Sequence, residues 1–153
     1  MQNNLIEKIE SCTKFKELEY LNLAVNSVPK IEGLRRCESL RKLDMTINFL
    51  DLEDLKSSCE ELEWNPVISE LYLMGNPCLD WPDAPTYIIA KVDSINRLDG
   101  TDITKSMRLA AKNKLEAMEK DLEIESKKKK DTKEWEKKEG LFKEGMYTRE
   151  TRW

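Results

Sequence analysis

The sequence predicts an α/β solenoid, a short right-handed coil with a parallel sheet on its concave face, followed by a charged helix. A pattern of the form L-x-x-L-x-L, closed by an asparagine, occurs first at Leu18, Leu21, Leu23 and Asn26. It recurs 22 residues later at Leu40, Leu43, Met45 and Asn48, and then again at Ile68, Leu71, Leu73 and Asn76. Repetition of this pattern at a period of roughly 20–29 residues is typical of leucine-rich repeats.

The strand of each repeat follows from the two-residue spacing inside the pattern. Leu21 and Leu23 are two apart, so both side chains point to one side of a strand while their neighbours point to the other. We therefore expect strands over 20–24, 42–46 and 70–74. Asn26 and its counterparts end the strands, where an amide side chain can bond backbone groups that the turn leaves unpaired.

Two places depart from the 22-residue period. The segment 1–10 carries only the second half of the pattern, because 22 residues separate Asn4 from Asn26, Ile6 from Val28 and Ile9 from Ile31. This predicts that the chain begins in the middle of a repeat, either as a shortened product or through loss of earlier repeats. The interval from Asn48 to Asn76 is 28 residues. We expect its six extra residues in the return segment near 57–65, where a loop can lengthen without disturbing the strand ladder.

A C-terminal cap is predicted after the third repeat. An apolar cluster at 87–89 and a Pro at position 85 favour a helix over 85–92, and a short final strand near Arg97 ends at Leu98. Such a cap closes the stack with a polar outer face, as solenoids require. Trp64 and Trp81 are expected to fill the space around the last repeats. The repeats and their cap together are expected to form one domain over 1–104.

A helical pattern begins at residue 105. Its apolar stripe has the spacing i, i+4, i+7, i+11 at Ala111, Leu115, Met118 and Leu122. We expect a charged amphipathic helix over 105–139 and a flexible tail over 140–153, with no packing from residue 131 onward unless a partner is bound. The run Lys127–Lys130 is interpreted as part of a solvated charged helix, because acidic residues flank and interleave it; an import signal, a nucleic-acid patch or a contact with an acidic partner is the alternative.

Charge and cysteine content limit the possible functions. Residues 1–104 carry 11 Lys+Arg against 19 Asp+Glu, whereas residues 105–153 carry 15 against 11. The four cysteines, Cys12, Cys37, Cys59 and Cys78, are predicted to be reduced and buried at similar points of successive repeats. There is no signal peptide pattern at 1–10 and no apolar run of roughly 18 residues, so a reducing cytoplasmic environment without a membrane is expected.

Catalysis finds little support in the sequence. The chain has no histidine, its five glycines are isolated, and no nucleophile is spaced from a base in a recognisable way. We predict no enzyme activity, no catalytic, cofactor-binding or metal-binding residues, no cofactor and no small-molecule substrate. Nucleic-acid binding is disfavoured, because strong phosphate binding requires a surface of one sign.

The outward residues of the three strands are the predicted functional surface. If the leucines point inward, three outward columns form beside them, and tyrosines alternate there with charged groups. This composition suits a protein interface, in which aromatic anchors supply buried area and charges set the register. The ordinary alternative is a solvated sheet face. We name this surface the concave face; its members are Tyr20, Asn22, Ala24, Lys42, Asp44, Thr46, Glu70, Tyr72 and Met74.

Several segments resemble one family in particular. QNNLIEKIE, LEYLNLAVNSVPKIEGLRRCESLRKLDMTINFL, ELYLMGNPC and INRLDGTDI are similar to the leucine-rich-repeat region of the tilB-type proteins, over about Gln2 to Ile103. The repeat pattern alone is shared with an axonemal dynein light chain and with U2A′-like splicing proteins. The segments at 18–26, 42–49 and 74–78 are more specific. The sequence departs from the family at both ends, where additional repeats and a β-sandwich domain are expected.

The resemblance implies a function that the repeat pattern alone does not. Members of the family are cytoplasmic assembly factors for the dynein arms of motile cilia and flagella. The chain is therefore expected to be a scaffold that binds dynein assembly chaperones or dynein subunits, in the cytoplasm, cilium, flagellum or basal body. Two alternatives stay open: a resident axonemal or basal-body component, and an RNA-processing adaptor of the U2A′ type that holds an RNA-binding partner.

Overall fold

A computed structural model describes the backbone of residues 16–144 and the side chains of residues 16–139. Five strands form one sheet in the order β1-β2-β3-β4-β5. The first four are parallel, and β5 pairs with β4 in the antiparallel sense. The strands are β1 Tyr20–Asn22, β2 Lys42–Asp44, β3 Glu70–Tyr72, β4 Arg97–Leu98 and β5 Thr101–Asp102.

Three α-helices lie on the other side of the repeats. They are α1 Leu52–Glu63, α2 Ala84–Lys91 and α3 Lys105–Glu144, and a short 3-10 turn spans Pro77–Asp80. The chain between β1 and β2 has no helix. The structure is therefore an α/β leucine-rich-repeat stack, as the sequence predicts.

The leucines of the repeat pattern meet in register across the sheet. Leu21 is opposite Leu43, Leu43 opposite Leu71, and Leu71 opposite Leu98. All four are at most 5% exposed and belong to one continuous apolar core. A short strand of three residues cannot bury its own leucine, so each repeat is stabilised by the repeat beside it.

Buried asparagines join successive repeats. Asn48 Nδ2 donates to the carbonyls of Met45, at 3.0 Å, and of Leu23 in the preceding repeat, at 2.9 Å. Its Oδ1 accepts from the Val28 N–H at 3.0 Å. Asn76 repeats this arrangement one repeat further on. The predicted role of these amides is confirmed, because each satisfies backbone groups that the turn leaves without a partner.

The strands are shorter than predicted, because the backbone turns sharply after them. Val25 and Ile47 have φ of 56° and 55°, in the left-handed region. Asn22 Oδ1 and Asp44 Oδ1 hold the approach to this turn by accepting from the backbone N–H two residues on, at 2.9 and 3.0 Å. The predicted strand ends at 24, 46 and 74 thus belong to the turn.

The long return segment forms a helix. The side chain of Asp51 caps α1 by accepting from the Leu52 N–H at 2.7 Å, and α1 buries Leu55, Cys59 and Leu62. The six extra residues near 57–65 therefore lengthen the return into three helical turns. This keeps the strand ladder intact, as expected.

The two tryptophans have different environments. Trp81 is buried beside Tyr87 and fills the space around the last repeats, as predicted. The same prediction is wrong for Trp64, which is 60% exposed and lies with its ring 4.7 Å from the guanidinium of Arg35. Trp64 is the C-cap of α1, and the buried position next to it is taken by Asn65, whose amide donates to the carbonyls of Leu34 and Cys37.

The cap contains an unpredicted hairpin. The predicted strand near Arg97 is β4, and the predicted helix over 85–92 is α2, but the chain then reverses at Asp99 and Gly100 to form β5. Both turn residues have positive φ, 49° and 82°. An Asp-Gly pair in this conformation is a favoured two-residue hairpin turn, because its twist matches that of the strands.

Helix α3 packs along α2 and α1. The predicted apolar stripe is confirmed, since Ala111, Met118 and Leu122 are buried and Leu115 is partly buried against the core. The interpretation of Lys127–Lys130 as wholly solvated is wrong for Lys129, which binds Asp51. Burial of α1 against α3 brings these distant residues together.

The segment after residue 130 also differs from expectation. Lys133 contacts Asp51 and Glu53 at 2.9 and 3.0 Å, so packing extends past residue 131 without a partner. The helix continues through Glu144, five residues beyond its predicted end and into the predicted tail. Predictions for Asn4, Ile6, Ile9, Cys12 and the tail from 145 to 153 lie outside the described residues. The domain boundary at residue 104 stays a prediction.

Cys59 and Cys78 are buried thiols, as predicted for these two residues. Burial raises the pKa of Cys59 and raises the pKa of Cys78 to about 12. Both are therefore held as neutral, unreactive thiols at physiological pH, because the thiolate is the reactive form. Cys37 is buried at the corresponding point of the preceding repeat.

Candidate functional site

The centre of the concave face is Lys42, in the middle strand. In the sheet register it lies between Tyr20 on β1 and Glu70 on β3. Its Nζ is 4.8 Å from the ring centre of Tyr20, 5.2 Å from that of Tyr72, and 3.9 Å from Glu70 Oε2. A cation between two aromatic rings restrains both rings, because each ring face attracts it.

Tyr72 and Glu70 form a second polar contact on the face. The hydroxyl of Tyr72 donates to Glu70 Oε2 at 3.0 Å. This hydrogen bond raises the pKa of Tyr72, since a phenolate beside a carboxylate would be repelled. Glu70 thus accepts from a tyrosine and faces a lysine at the same time. Four side chains of three neighbouring strands hold one another in place before any partner arrives.

The face continues beyond the residues that the sequence identified. Arg97 on β4 is opposite Glu70, and its Nε donates to Asp102 Oδ1 on β5 at 3.0 Å. This hydrogen bond raises the pKa of Arg97. The signal for Arg97 was available in its place on the predicted cap strand. Asp102 was not identifiable, because the hairpin that returns it to the face was not predicted.

Eight of the nine predicted residues are accessible on this surface. Tyr20 and Met74 are exposed, at 47% and 61%. Six others are half-buried: Asn22, Lys42, Asp44, Thr46, Glu70 and Tyr72. Ala24 is buried at 8% exposure, so the prediction that it contributes to an exposed surface is wrong. The turn that begins after it covers its small side chain.

Sequence reasoning missed an apolar set next to the concave face. Val25, Ile47 and Phe49 are 40%, 53% and 60% exposed, and they follow β1 and β2 where the strands end. They were read only as members of the repeat pattern. Their exposure depends on the left-handed turn, which the residue types Val and Ile do not suggest.

The described residues offer little for catalysis or metal binding. Within residues 16–139, no three Cys, Asp or Glu side chains converge in a way that could hold a metal ion. Among the helices that the structure describes, none is long and apolar enough to cross a membrane. The arrangement on the concave face consists of aromatic rings and paired charges, which can recognise another polypeptide.

The fold and the site define the class of the protein: a leucine-rich-repeat protein with an open, charged concave face. The structure of the Drosophila melanogaster SNF/U2A′ complex contains a similar chain, with a TM-score of 0.55 and 19% identity over 79% of this chain and 85% of that one. At this identity the likeness shows the fold alone. No family model matches the sequence.

Curated relatives identify the family. The chain is 40% identical to dynein axonemal assembly factor 11 of Mus musculus, over 72% of this chain and 23% of the relative. It is 42% identical to the Danio rerio protein of that name, over 77% and 26%, and 37% identical to protein tilB of Drosophila melanogaster, over 75% and 28%. The chain belongs to the tilB-type family by its leucine-rich-repeat region, and it spans about a quarter of the length of these relatives.

Proposed function

We propose that this protein is a non-enzymatic, protein-binding scaffold that takes part in the cytoplasmic assembly of dynein arms for motile cilia or flagella. Two observations support the proposal. The relatives that share its repeat region are named dynein axonemal assembly factors. The concave face holds two tyrosines around Lys42 in a fixed arrangement.

The second observation matters most for the mechanism. Tyrosine supplies a large contact area at low cost in side-chain entropy, and binding is tighter when the ring is already held in place. Lys42 restrains the rings of Tyr20 and Tyr72 from one side, and Glu70 holds the hydroxyl of Tyr72. Charges around these anchors fix the register of a partner and contribute more to specificity than to affinity.

The proposal includes partners and a location. Dynein subunits or the chaperones that fold them are the partners in this reading, and the cytoplasm at the base of the cilium is the place of binding. The scaffold acts by holding a partner rather than by chemical conversion. It needs neither a cofactor nor a small-molecule substrate.

Recovery of partners from flagellated cells tests the proposal. The tagged full chain is compared with a variant that carries Tyr72→Ala and Asp44→Lys, which removes an anchor and reverses a charge on the face. A matched control carries Trp135→Ala and Glu134→Lys, which make the same kinds of change at exposed positions of α3. Dynein subunits and chaperones should be recovered by the parent and the control, and lost from the concave-face variant.

The test also separates the alternatives. Recovery of spliceosomal proteins without dynein subunits or chaperones would overturn the proposal in favour of an RNA-processing adaptor. Recovery of axonemal proteins from isolated axonemes, with none from cytoplasm, would favour a resident component. Undiminished recovery by the folded Tyr72→Ala and Asp44→Lys variant would move the interface away from the concave face. Circular dichroism of each variant shows whether it is folded.

A further inference from the structure

A row of exposed apolar side chains follows the ends of the first three strands. We call this row the apolar rim; its members are Val25, Ile47, Phe49 and Met74. All four are at least 40% exposed, whereas the leucines beside them in sequence are buried. The rim borders the concave face, with which it shares Met74.

The backbone makes the rim continuous. The Val25 N–H donates to the Thr46 carbonyl at 2.8 Å, and the Ile47 N–H donates to the Met74 carbonyl at 2.9 Å. Neighbouring chains in such a ladder are about 4.8 Å apart, which places the side chains within contact distance of one another. The third repeat has Gly75 at the equivalent place, and a Cβ there would lie 2.8 Å from Ile47 Cγ1. Glycine thus leaves room for the Ile47 side chain.

Val25 and Ile47 are conformationally expensive residues at their positions. Both are β-branched and both have φ near +55°. This region disfavours β-branched side chains, whereas Gly and Asn adopt it readily. The third repeat shows the inexpensive solution, since Gly75 has φ of 82° there. Strain of this kind is characteristic of binding sites, where the side chain is retained for its contact with a partner.

Charges next to the rim indicate the chemistry of that partner. The sheet face beside it carries two cations, Lys42 and Arg97, and four carboxylates, Asp44, Glu70, Asp99 and Asp102. Both cations already pair with carboxylates of the face. Asp44 accepts only from the Thr46 N–H among the contacts of residues 16–139, and no described cation pairs with it. An acidic face beside apolar side chains is complementary to a segment with apolar and basic residues.

We propose that the apolar rim is the docking site for a segment of a partner protein that places aliphatic or aromatic side chains on Val25, Ile47, Phe49 and Met74 and a lysine or arginine beside Asp44. The inference rests on the proposed scaffold function and names the chemistry of its partner. A negatively charged membrane surface does not fit, because the face beside the rim is itself acidic.

Selection from a display library of random peptides tests the chemistry directly, with the full chain as bait. Peptides that combine apolar residues with Lys or Arg should be enriched, and binding of the selected peptides should weaken in a Val25→Asn, Ile47→Asn double variant. Loss of central anchors commonly weakens binding by about tenfold or more. The unfolding midpoint of this variant should not fall, because asparagine suits the left-handed conformation. Asp44→Asn should weaken binding of the same peptides by about twofold to fivefold.

Val67→Asn is the matched control. Val67 is 41% exposed, close to the 40% of Val25, and lies outside the rim. It should leave peptide binding unchanged. The inference is overturned if the selected peptides bind the rim double variant as tightly as the parent, if they lack basic residues, or if no peptide is enriched.

Failure here is distinguishable from failure of the scaffold function. A rim double variant that recovers dynein subunits from cells as well as the parent does, while Tyr72→Ala with Asp44→Lys does not, sinks the inference and leaves the function standing. Rim-dependent selection of basic, apolar peptides by a parent chain that recovers no dynein subunits or chaperones keeps the docking site and rejects the function.

Discussion

The concave face and the helical back of the molecule both carry ion pairs, but they use them differently. On the face, Lys42 and Glu70 are 3.9 Å apart with side chains 37% and 31% exposed. On the back, Lys129 Nζ lies 2.8 Å from Asp51 Oδ1, and the Asp51 side chain is only 10% exposed. Exposed pairs contribute little to stability, whereas a desolvated carboxylate depends on its cations. Charge on the face therefore stays available to partners, and charge on the back fixes the fold.

Helix α3 is fastened to the back at points far apart along its length. Near its start, the Arg108 guanidinium donates to the carbonyls of Ile89, Val92 and Ile95, where α2 ends. A cation at this place satisfies carbonyls that the helix leaves free and suits the negative end of its dipole. In its middle, Asp121 accepts from the Trp81 indole N–H at 3.1 Å.

The comparison is broken most strongly by removing apolar contact on the back. Leu122 is 4% exposed, and Leu122→Ala should lower the free energy of unfolding by about 2–5 kcal/mol, since a cavity remains where the side chain was. Ile124 lies two residues on and is 54% exposed, so Ile124→Ala should change stability by no more than about 0.5 kcal/mol. Urea denaturation followed by circular dichroism measures both. Equal losses would show that α3 is not held by its buried stripe.

A smaller effect is expected from removing charge on the back. Asp51→Asn keeps a side-chain oxygen to cap α1 but leaves Lys129 without its carboxylate. We expect a loss of about 1–2 kcal/mol, because both lysines that bind Asp51 stay partly exposed. Asp54 is a matched control, since burial raises the pKa of its carboxyl and neutralising it should cost nothing. A loss from Asp54→Asn as large as that from Asp51→Asn would contradict this.

The same variant has a pH signature. Burial acts to raise the pKa of Asp51, but hydrogen bonds from Lys129 and Lys133 outweigh it and hold the pKa below its ordinary value of 3.8. A carboxyl with a lowered folded pKa stabilises the protein above the unfolded pKa and loses that contribution as pH falls through the folded one. The stability difference between the parent and Asp51→Asn should therefore be complete above about pH 5 and shrink below about pH 4. A constant difference would show that Asp51 acts only as a cap.

The smallest effect is expected on the concave face. Lys42→Gln removes the cation between two tyrosine rings, yet stability should change by about 0.5 kcal/mol or less, since exposed pairs and cation–π contacts are weak. Partner recovery should fall, because Tyr20 and Tyr72 lose their restraint. A large loss of stability with partner recovery intact would reverse the roles assigned to the two sides of the molecule.

The repeat architecture could be predicted because its signal is local. Leu21, Leu43 and Leu71 stand at fixed places in a pattern, and the same spacing that buries each one sets the register of the sheet. The asparagines follow from the same logic. What joins neighbouring repeats is thus encoded in residue spacing and readable without a structure.

The features that were missed depend on contacts distant in sequence or on backbone angles. Lys129 and Asp51 are 78 residues apart, and nothing in a lysine run indicates which carboxylate it meets. Trp64 was assigned to the core from its size, but α1 ends one residue before it. Val25 and Ile47 read as ordinary strand residues because their types argue against the conformation they adopt.

The hairpin of β4 and β5 bears on how copies of this protein behave in a crowded solution. A parallel stack repeats by translation, so a strand of another molecule could in principle add beside β4 and continue the array. The Asp99–Gly100 turn places β5 there in the opposite direction. The outer edge is then a strand of two residues that ends in a carboxylate. Short, charged edges resist strand addition, so this end of the sheet acts as a chain terminator against filament growth.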